Sequence, residues 1–334
     1  MSKRAILLLL LFSCGLSACS LPAVEAQTPE ILPTMIDTPF QPAMVTPLPE
    51  LILVTPALVN TAIPTADPNL HIEQLRNGEY TFNGIDPNGA PKTYRLQNGS
   101  YQSSADTASV GFVSIRLIEP TAIGSLNNDE YQDAAVILVE NYGGTGQFVQ
   151  IGAVLNQAGS PYHAATYPLG DRVKVDTLNI QNNEILLSGL VHGPQDGLCC
   201  PSIPATIHLR LLNENQLMLT RFTTQTPDGQ ERSINIRAPL NGAEASGSIT
   251  ITGDVSIAPF ENNLLYTLYD SQYQEITRSG LMVDAPDFGA PGTFALTIDL
   301  AALGRTGNLY VEITDLSAAD GSVLALAQIQ IQVR

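Results

Sequence analysis

The sequence predicts a mainly β protein in which an antiparallel-sheet domain is followed by an immunoglobulin-like β-sandwich. Apolar and polar residues alternate through most of residues 69–334, which is the period of a strand with one buried face. Turn residues such as Asn-Gly, Asn-Asn and Gly-Ser-Pro separate these runs. Hydrophobic residues make up 44% of the 334 residues and only four are cysteines, so packed cores must stabilise the fold.

Residues 1–18 are typical of a secretory signal peptide, because two basic residues precede a short apolar run and small residues. The apolar run is too short for a stable membrane span. The ending at 16–19 (LSAC) resembles the bacterial lipobox. That resemblance implies that Cys19 is acylated and becomes the first mature residue. The alternative is an ordinary signal peptide that is cut near Ala18 or Ala26.

Residues 19–68 are predicted to be the lipidated cysteine followed by a disordered, proline-rich linker. Prolines recur every few residues and no Lys or Arg occurs in this stretch. Such a density of proline prevents regular helix and sheet and favours extended chain. At about 3.1 Å per residue a fully extended linker would reach on the order of 150 Å. A spacer through a surface layer and a merely disordered segment are both compatible with this composition.

Residues 69–222 are predicted to form the first β domain. A short helix is expected near 70–75, and a strand follows at 78–82. The pair Asn98-Gly99 between short alternating runs predicts a hairpin. The apolar run that begins at 133 predicts a strand buried on both faces.

The rest of this domain reads as successive antiparallel pairs. Residues 146–170 are predicted to form two strands that turn near Ala158-Gly159. Residues 173–193 are predicted to form a hairpin that turns at Asn182-Asn183, and residues 205–222 a last pair.

A polar joint at 223–231 precedes the second domain, residues 232–334. This domain contains seven short runs in which apolar and polar residues alternate, with turn residues between them, as in an immunoglobulin-like sandwich. The Cys and Trp residues of an antibody core are missing, so we expect a core of aliphatic and aromatic side chains.

Residues 234–334 resemble the immunoglobulin-like domain of bacterial spore-germination proteins, often called the Gmad type. The resemblance is carried by the segments IRAP at 236–239, SGSITITGDV at 246–255, FENNL at 260–264 and SAADGS at 317–322. It implies a sandwich in an extracellular context and implies no catalytic activity.

The middle domain is similar to the LppP/LprE-type bacterial lipoproteins over roughly residues 110–215. The segments that carry the similarity are 125–141, 169–180 and 191–202, the last of which reads VHGPQDGLCCPS. This similarity implies an exported, anchored protein and no activity.

Asn127, Asp129 and Asp133 match a calcium-binding loop of the form Asp-x-Asn-x-Asp-Gly-x-x-Asp. Ser125 replaces the first carboxylate, and Glu130 replaces the glycine that allows the sharp turn. Because fewer charged ligands mean weaker binding, we predict at most a weak Ca²⁺ site and otherwise no cofactor. The alternative is a solvated loop whose Asp and Asn side chains cap the turn.

Cys199 and Cys200 are the cysteines that remain once Cys14 leaves with the signal peptide and Cys19 carries lipid. Adjacent cysteines in an oxidising compartment can form a disulfide. Two free thiols, or a metal or redox site that includes His192, are the alternatives.

The four histidines, at 71, 163, 192 and 208, lie in no catalytic pattern. We therefore predict that the protein is not an enzyme. The net charge of −17 disfavours nucleic acid, and the absence of Trp disfavours a carbohydrate-stacking surface.

These observations predict a non-catalytic cell-surface lipoprotein with a binding or architectural role in the cell envelope. It would be anchored to the membrane by its N-terminal lipid, would face the extracellular side or the periplasm, and would bind an unidentified envelope protein or polymer. The alternatives are an envelope enzyme or redox protein centred on Cys199 and Cys200, and an extracellular ligand sensor.

Overall fold

The computed structural model describes residues 67–82, 90–287 and 289–334, and these form a mainly β protein. The helical elements among these residues are short: α1 (Ile72–Arg76), α2 (Leu300–Leu303) and a 3₁₀ turn at Phe260–Asn262. Helix α1 lies where the sequence predicted one. Its first turn is closed by Gln74, whose side-chain oxygen accepts a hydrogen bond from the backbone N–H of His71 at 2.8 Å.

The first half of the described chain contributes the strands β1 (Glu79–Phe82), β2 (Lys92–Arg95), β3 (Ser100–Gln102), β4 (Ser114–Gly124), β5 (Asp133–Asn141), β6 (Phe148–Gln157), β7 (Ser160–Asp171), β8 (Lys174–Gln181), β9 (Glu184–Val191), β10 (Ile203–Leu212) and β11 (Gln216–Gln225). Strands β3 to β7 form one antiparallel sheet in chain order, and strands β8 to β11 lie side by side in another. An apolar core that includes Ile137, Ile151, Leu187 and Leu209 lies between these two layers.

Strand β5 is buried on both faces, as its apolar run predicted. Ala135, Ile137 and Val139 face the core between the two sheets. Their neighbours Val136 and Leu138 face a second core, which the side chains of α1, β1 and β2 complete.

The turns follow their local sequence. Asn182 and Asn183 both have positive φ, 52° and 62°, as a type I′ turn requires, which confirms the predicted hairpin of β8 and β9. Asn98 and Gly99 also form a tight turn, with φ of 51° and 84°. The predicted hairpin around them is reduced to one bridge, because β2 pairs with β1 whereas β3 pairs with β4.

The second half contributes β12 (Glu231–Arg232), β13 (Ile234–Ala238), β14 (Ala243–Ala245), β15 (Ser248–Val255), β16 (Asn263–Tyr269), β17 (Glu275–Met282), β18 (Gly292–Asp299), β19 (Gly307–Leu316) and β20 (Val323–Val333). The seven predicted strands are β13 and β15 to β20. Strands β13, β15 and β18 form one layer of a sandwich, and β17, β16, β19 and β20 form the other. Its core is aliphatic apart from Phe294, which fits the expectation from composition.

Strands β11 and β20 connect the two halves, so that a single sheet runs in the order β17-β16-β19-β20-β11-β10-β9-β8. Their backbones pair at two positions, Arg221 with Ala327 and Phe222 with Leu326. The Thr224 hydroxyl also donates to the carbonyl of Leu324 at 2.6 Å.

The polar joint predicted at 223–231 takes the form of a hairpin. Residues up to 225 continue β11, and β12 pairs back onto β11. Next to this hairpin the guanidinium of Arg232 lies 2.6 Å from the carboxylate of Asp315, which is only 2% exposed. Burial raises the pKa of Asp315, and the hydrogen bond and charge of Arg232 oppose that effect.

Candidate functional site

The predicted lipidation site, Cys19, and the linker up to residue 66 lie outside the described residues. In the part of the chain that is described, no helix has the length and apolar character needed to cross a bilayer. The remaining predicted sites lie in two loops of the first half.

Asn127 and Asp129 lie together in the loop between β4 and β5, as predicted. The Asn127 amide donates to the Asp129 carboxylate at 2.9 Å. The other oxygen of Asp129 accepts the backbone N–H of Tyr131 at 2.8 Å, and the Asn127 oxygen accepts the N–H of Asp129 at 3.2 Å. Both side chains therefore cap backbone groups of their own turn.

Asp133 points into the protein and does not share a ligand-binding position with Asn127 and Asp129. It is fully buried, and its two carboxylate oxygens accept the backbone N–H groups of Leu126 at 2.7 Å and Asn156 at 2.9 Å. Burial raises the pKa of Asp133, while these hydrogen bonds lower it. Because Asp133 connects the loop to β6, these contacts favour the turn-capping interpretation over a calcium site. No group of three or more His, Cys, Asp or Glu in the described ranges is arranged to hold a metal ion.

Cys199 and Cys200 lie at the exposed tip of the loop between β9 and β10, where the structure joins them as a disulfide. Asp196 closes the base of this loop. Its carboxylate accepts the N–H of Gly193 at 2.8 Å and both the N–H and the hydroxyl of Ser202, at 2.8 and 2.7 Å. These hydrogen bonds, that of Gly193 first, lower the pKa of Asp196.

His192 is not placed as a base for the cysteines. One of its ring nitrogens lies 2.9 Å from the carbonyl oxygen of Asp171. Among the described residues, no hydrogen bond joins the side chains of His192, Asp196 and Cys199. The loop therefore lacks the base–nucleophile pair that catalysis by a cysteine requires.

His163 lies on β7 and is largely buried against strand β1. Its Nδ1 accepts the backbone N–H of Thr81 at 3.0 Å, its ring contacts those of Tyr80 and Phe82, and its Nε2 is buried without a hydrogen-bond partner. Burial lowers the pKa of His163 to about 4. His163 is therefore a neutral structural residue near pH 7.

No sequence pattern predicted the charged cluster that lies on β9, β10 and β11. The Glu184 carboxylate accepts hydrogen bonds from Arg210 at 2.8 Å and from the hydroxyl of Thr220 at 3.1 Å, and it lies 3.5 Å from His208. Desolvation raises the pKa of Glu184, but the hydrogen bond of His208 and the charge of Arg210 outweigh it and lower the pKa overall.

A second polar cluster surrounds Glu312 on β19. Its carboxylate accepts the hydroxyl groups of Tyr269 and Tyr273, at 3.3 and 3.2 Å, and the rings of these tyrosines stack with centroids 4.3 Å apart. Gln328 donates to the Tyr273 hydroxyl at 2.7 Å. Burial raises the pKa of Glu312.

A cleft of about 240 Å³ lies between these clusters, beside the short pairing of β11 with β20. One wall comes from β9, β10 and β11, and the other comes from β19, β20 and the segment before β14. The residues that line it are Glu184, His208, Arg210, Met218, Thr220, Arg221, Asn241, Tyr310, Gln328, Ile329 and Gln330. The cleft is polar on both walls and is built by residues more than a hundred positions apart.

The sandwich matches a known family. Residues 233–322 match the model of the immunoglobulin-like domain of bacterial spore germination, which confirms the predicted Gmad-type domain. A search of curated proteins found no match to this chain. A domain of this class suggests a binding or structural role rather than catalysis.

Proposed function

We propose that this protein is a non-catalytic lipoprotein of the cell surface with a binding or architectural role in the cell envelope. The match of residues 233–322 to the spore-germination immunoglobulin-like domain supports this proposal most directly. Sandwiches of this class bind through strand edges and loops and need no catalytic group. The resemblance of residues 16–19 to a lipobox and the similarity of the middle domain to LppP/LprE-type lipoproteins support the anchored part of the proposal.

Anchoring depends on Cys19 in this proposal. We expect Cys19→Ala to abolish labelling with radioactive palmitate in a bacterial host and to release the protein into the medium or leave an uncut precursor. Cys14→Ala is the matched control, because it changes a cysteine inside the signal peptide. Equal labelling of the Cys19→Ala variant and the unaltered chain would contradict the proposal.

The binding role is tested separately from the anchor. We expect a pull-down from intact envelopes with residues 69–222 and 232–334, expressed separately, to recover a specific envelope component with at least one of the two. Recovery of nothing above background with either part, when both are folded, would contradict a binding role.

A redox role for Cys199 and Cys200 is the second candidate, and their exposure at the loop tip favours it. A disulfide at an exposed site is accessible to partner thiols. We expect Cys200→Ser to trap a mixed disulfide with a partner if this role is real. Absence of any trapped adduct in non-reducing gels of whole cells would leave the pair as a structural bond.

A further inference from the structure

The cleft beside the pairing of β11 with β20 contains a positive charge that forms no ion pair with a described acidic residue. Arg210 pairs with Glu184 at 2.8 Å, and the same carboxylate faces His208. Arg221 also lines the cleft, but within the described residues its guanidinium makes neither an ion pair nor a hydrogen bond. Acidic residues outnumber basic ones by 32 to 15 in this chain, so an arginine whose guanidinium has neither an ion pair nor a hydrogen bond is unexpected.

The opposite wall of the cleft adds a hydrogen-bond donor, Asn241. The side-chain oxygen of Asn241 accepts the backbone N–H of Gln330 at 2.7 Å, which fixes the amide and leaves its NH₂ group as the free end. Arg221 has a planar fork of N–H groups that matches the two oxygens of a carboxylate or a phosphate. Tyr310 is only 2% exposed and therefore shapes the cleft without presenting its ring face to a ligand.

We propose that this cleft binds an oxyanion, a carboxylate or phosphate group, through the guanidinium of Arg221 with the amide of Asn241 as second donor. The acidic chain repels anions at long range, so the affinity depends on these short contacts. The charges of Arg210 and Glu184 neutralise each other in an ion pair. Replacing Arg221 therefore removes the unpaired positive charge of the cleft. The proposal does not depend on lipid anchoring.

Calorimetric titration of the full chain with inorganic phosphate and with acetate, at constant ionic strength and pH 7, tests the proposal. We expect saturable binding of at least one of the two, and the probe that binds identifies the source of the oxyanion. Arg221→Gln should weaken that binding at least tenfold, and Arg221→Lys, which keeps the charge but loses the fork, at least threefold. Arg116→Gln is the matched control, since Arg116 lies on β4 and donates to Gln147.

Absence of saturable binding with both probes would overturn the proposal. Unchanged binding in Arg221→Gln would do the same, as would an equal loss in Arg116→Gln, which would indicate a general effect of net charge. Circular dichroism establishes that each variant is folded. If Arg221→Gln does not fold, Arg221→Lys decides: a loss of threefold or more supports the site, and unchanged affinity overturns it.

Discussion

Protonation of His163 should destabilise the protein in mildly acidic solution. In the unfolded chain this histidine has its ordinary pKa of 6.5, whereas burial lowers its pKa to about 4 in the folded protein. The unfolded state therefore binds a proton first as the pH falls. The contribution of His163 to stability is complete above pH 6.5 and is lost as the pH falls towards 4.

The size of this effect follows from the two pKa values. Each pKa unit corresponds to about 1.36 kcal/mol, so the difference is worth about 3 kcal/mol. The hydrogen bonds of the ring agree with this direction. Nδ1 accepts the N–H of Thr81, so the proton that charges the ring would replace this hydrogen bond with a contact between two donors, while Nε2 is already buried without a hydrogen-bond partner.

His163→Asn separates this effect from packing. The Asn side chain keeps an acceptor for the Thr81 N–H but does not titrate, and the lost ring contacts cost roughly 1–3 kcal/mol at every pH. The free energy of unfolding is measured by urea titration between pH 7.5 and 4, with circular dichroism as the probe because the chain has no Trp. We expect the advantage of the unaltered chain over the variant to shrink by about 3 kcal/mol across this range.

Other groups that titrate in this range cancel in that difference. Ser160→Asn, at an exposed residue of β7 that does not titrate, is the control and should keep the pH dependence of the unaltered chain. If the His163→Asn variant showed the same pH dependence as the unaltered chain, the assignment of the effect to His163 would be wrong.

Three further predictions concern the joint, the cysteine pair and the second domain. Arg232→Ala should lower the free energy of unfolding by roughly 3 kcal/mol, because it leaves the buried carboxylate of Asp315 without a counter-charge; a loss below about 1 kcal/mol in urea titration would contradict this. Peptide mass analysis under non-reducing conditions should find Cys199 and Cys200 joined in the exported protein, and two free thiols would disprove the bond. Residues 232–334 expressed alone should unfold cooperatively with a β-type circular dichroism spectrum, and a disordered spectrum would refute the domain boundary.

Local sequence predicted the local parts of this fold. The apolar run at 133 predicted a strand buried on both faces, and Asn182-Asn183 predicted a tight turn. Both predictions depend only on local residue types, because a continuous apolar run favours burial of both faces and Asn tolerates positive φ. The pairing partners of the strands were harder to predict from the sequence. Asn98-Gly99 predicted its own turn, but nothing in the local sequence indicated that β2 and β3 belong to different sheets.

The sites were predicted less well than the strands, since they depend on contacts distant in sequence. Asp133 matched a calcium ligand by spacing, yet its partners are the backbone groups of Leu126 and Asn156. The cleft could not be inferred at all. Arg221 and Gln330 are ordinary polar residues of two strands until the pairing of β11 with β20 brings those strands together.

The burial of β5 on both faces also has a consequence for local opening. Val136 and Ile137 are adjacent but belong to different cores, and the backbone of β5 pairs with β4 on one side and β6 on the other. If only one core unfolds, the side chains on the other face of β5 still pack in the second core and keep the strand in place. The amide protons of β5 should therefore exchange with solvent only when both cores open. Their exchange rates would then report the free energy of unfolding both cores together.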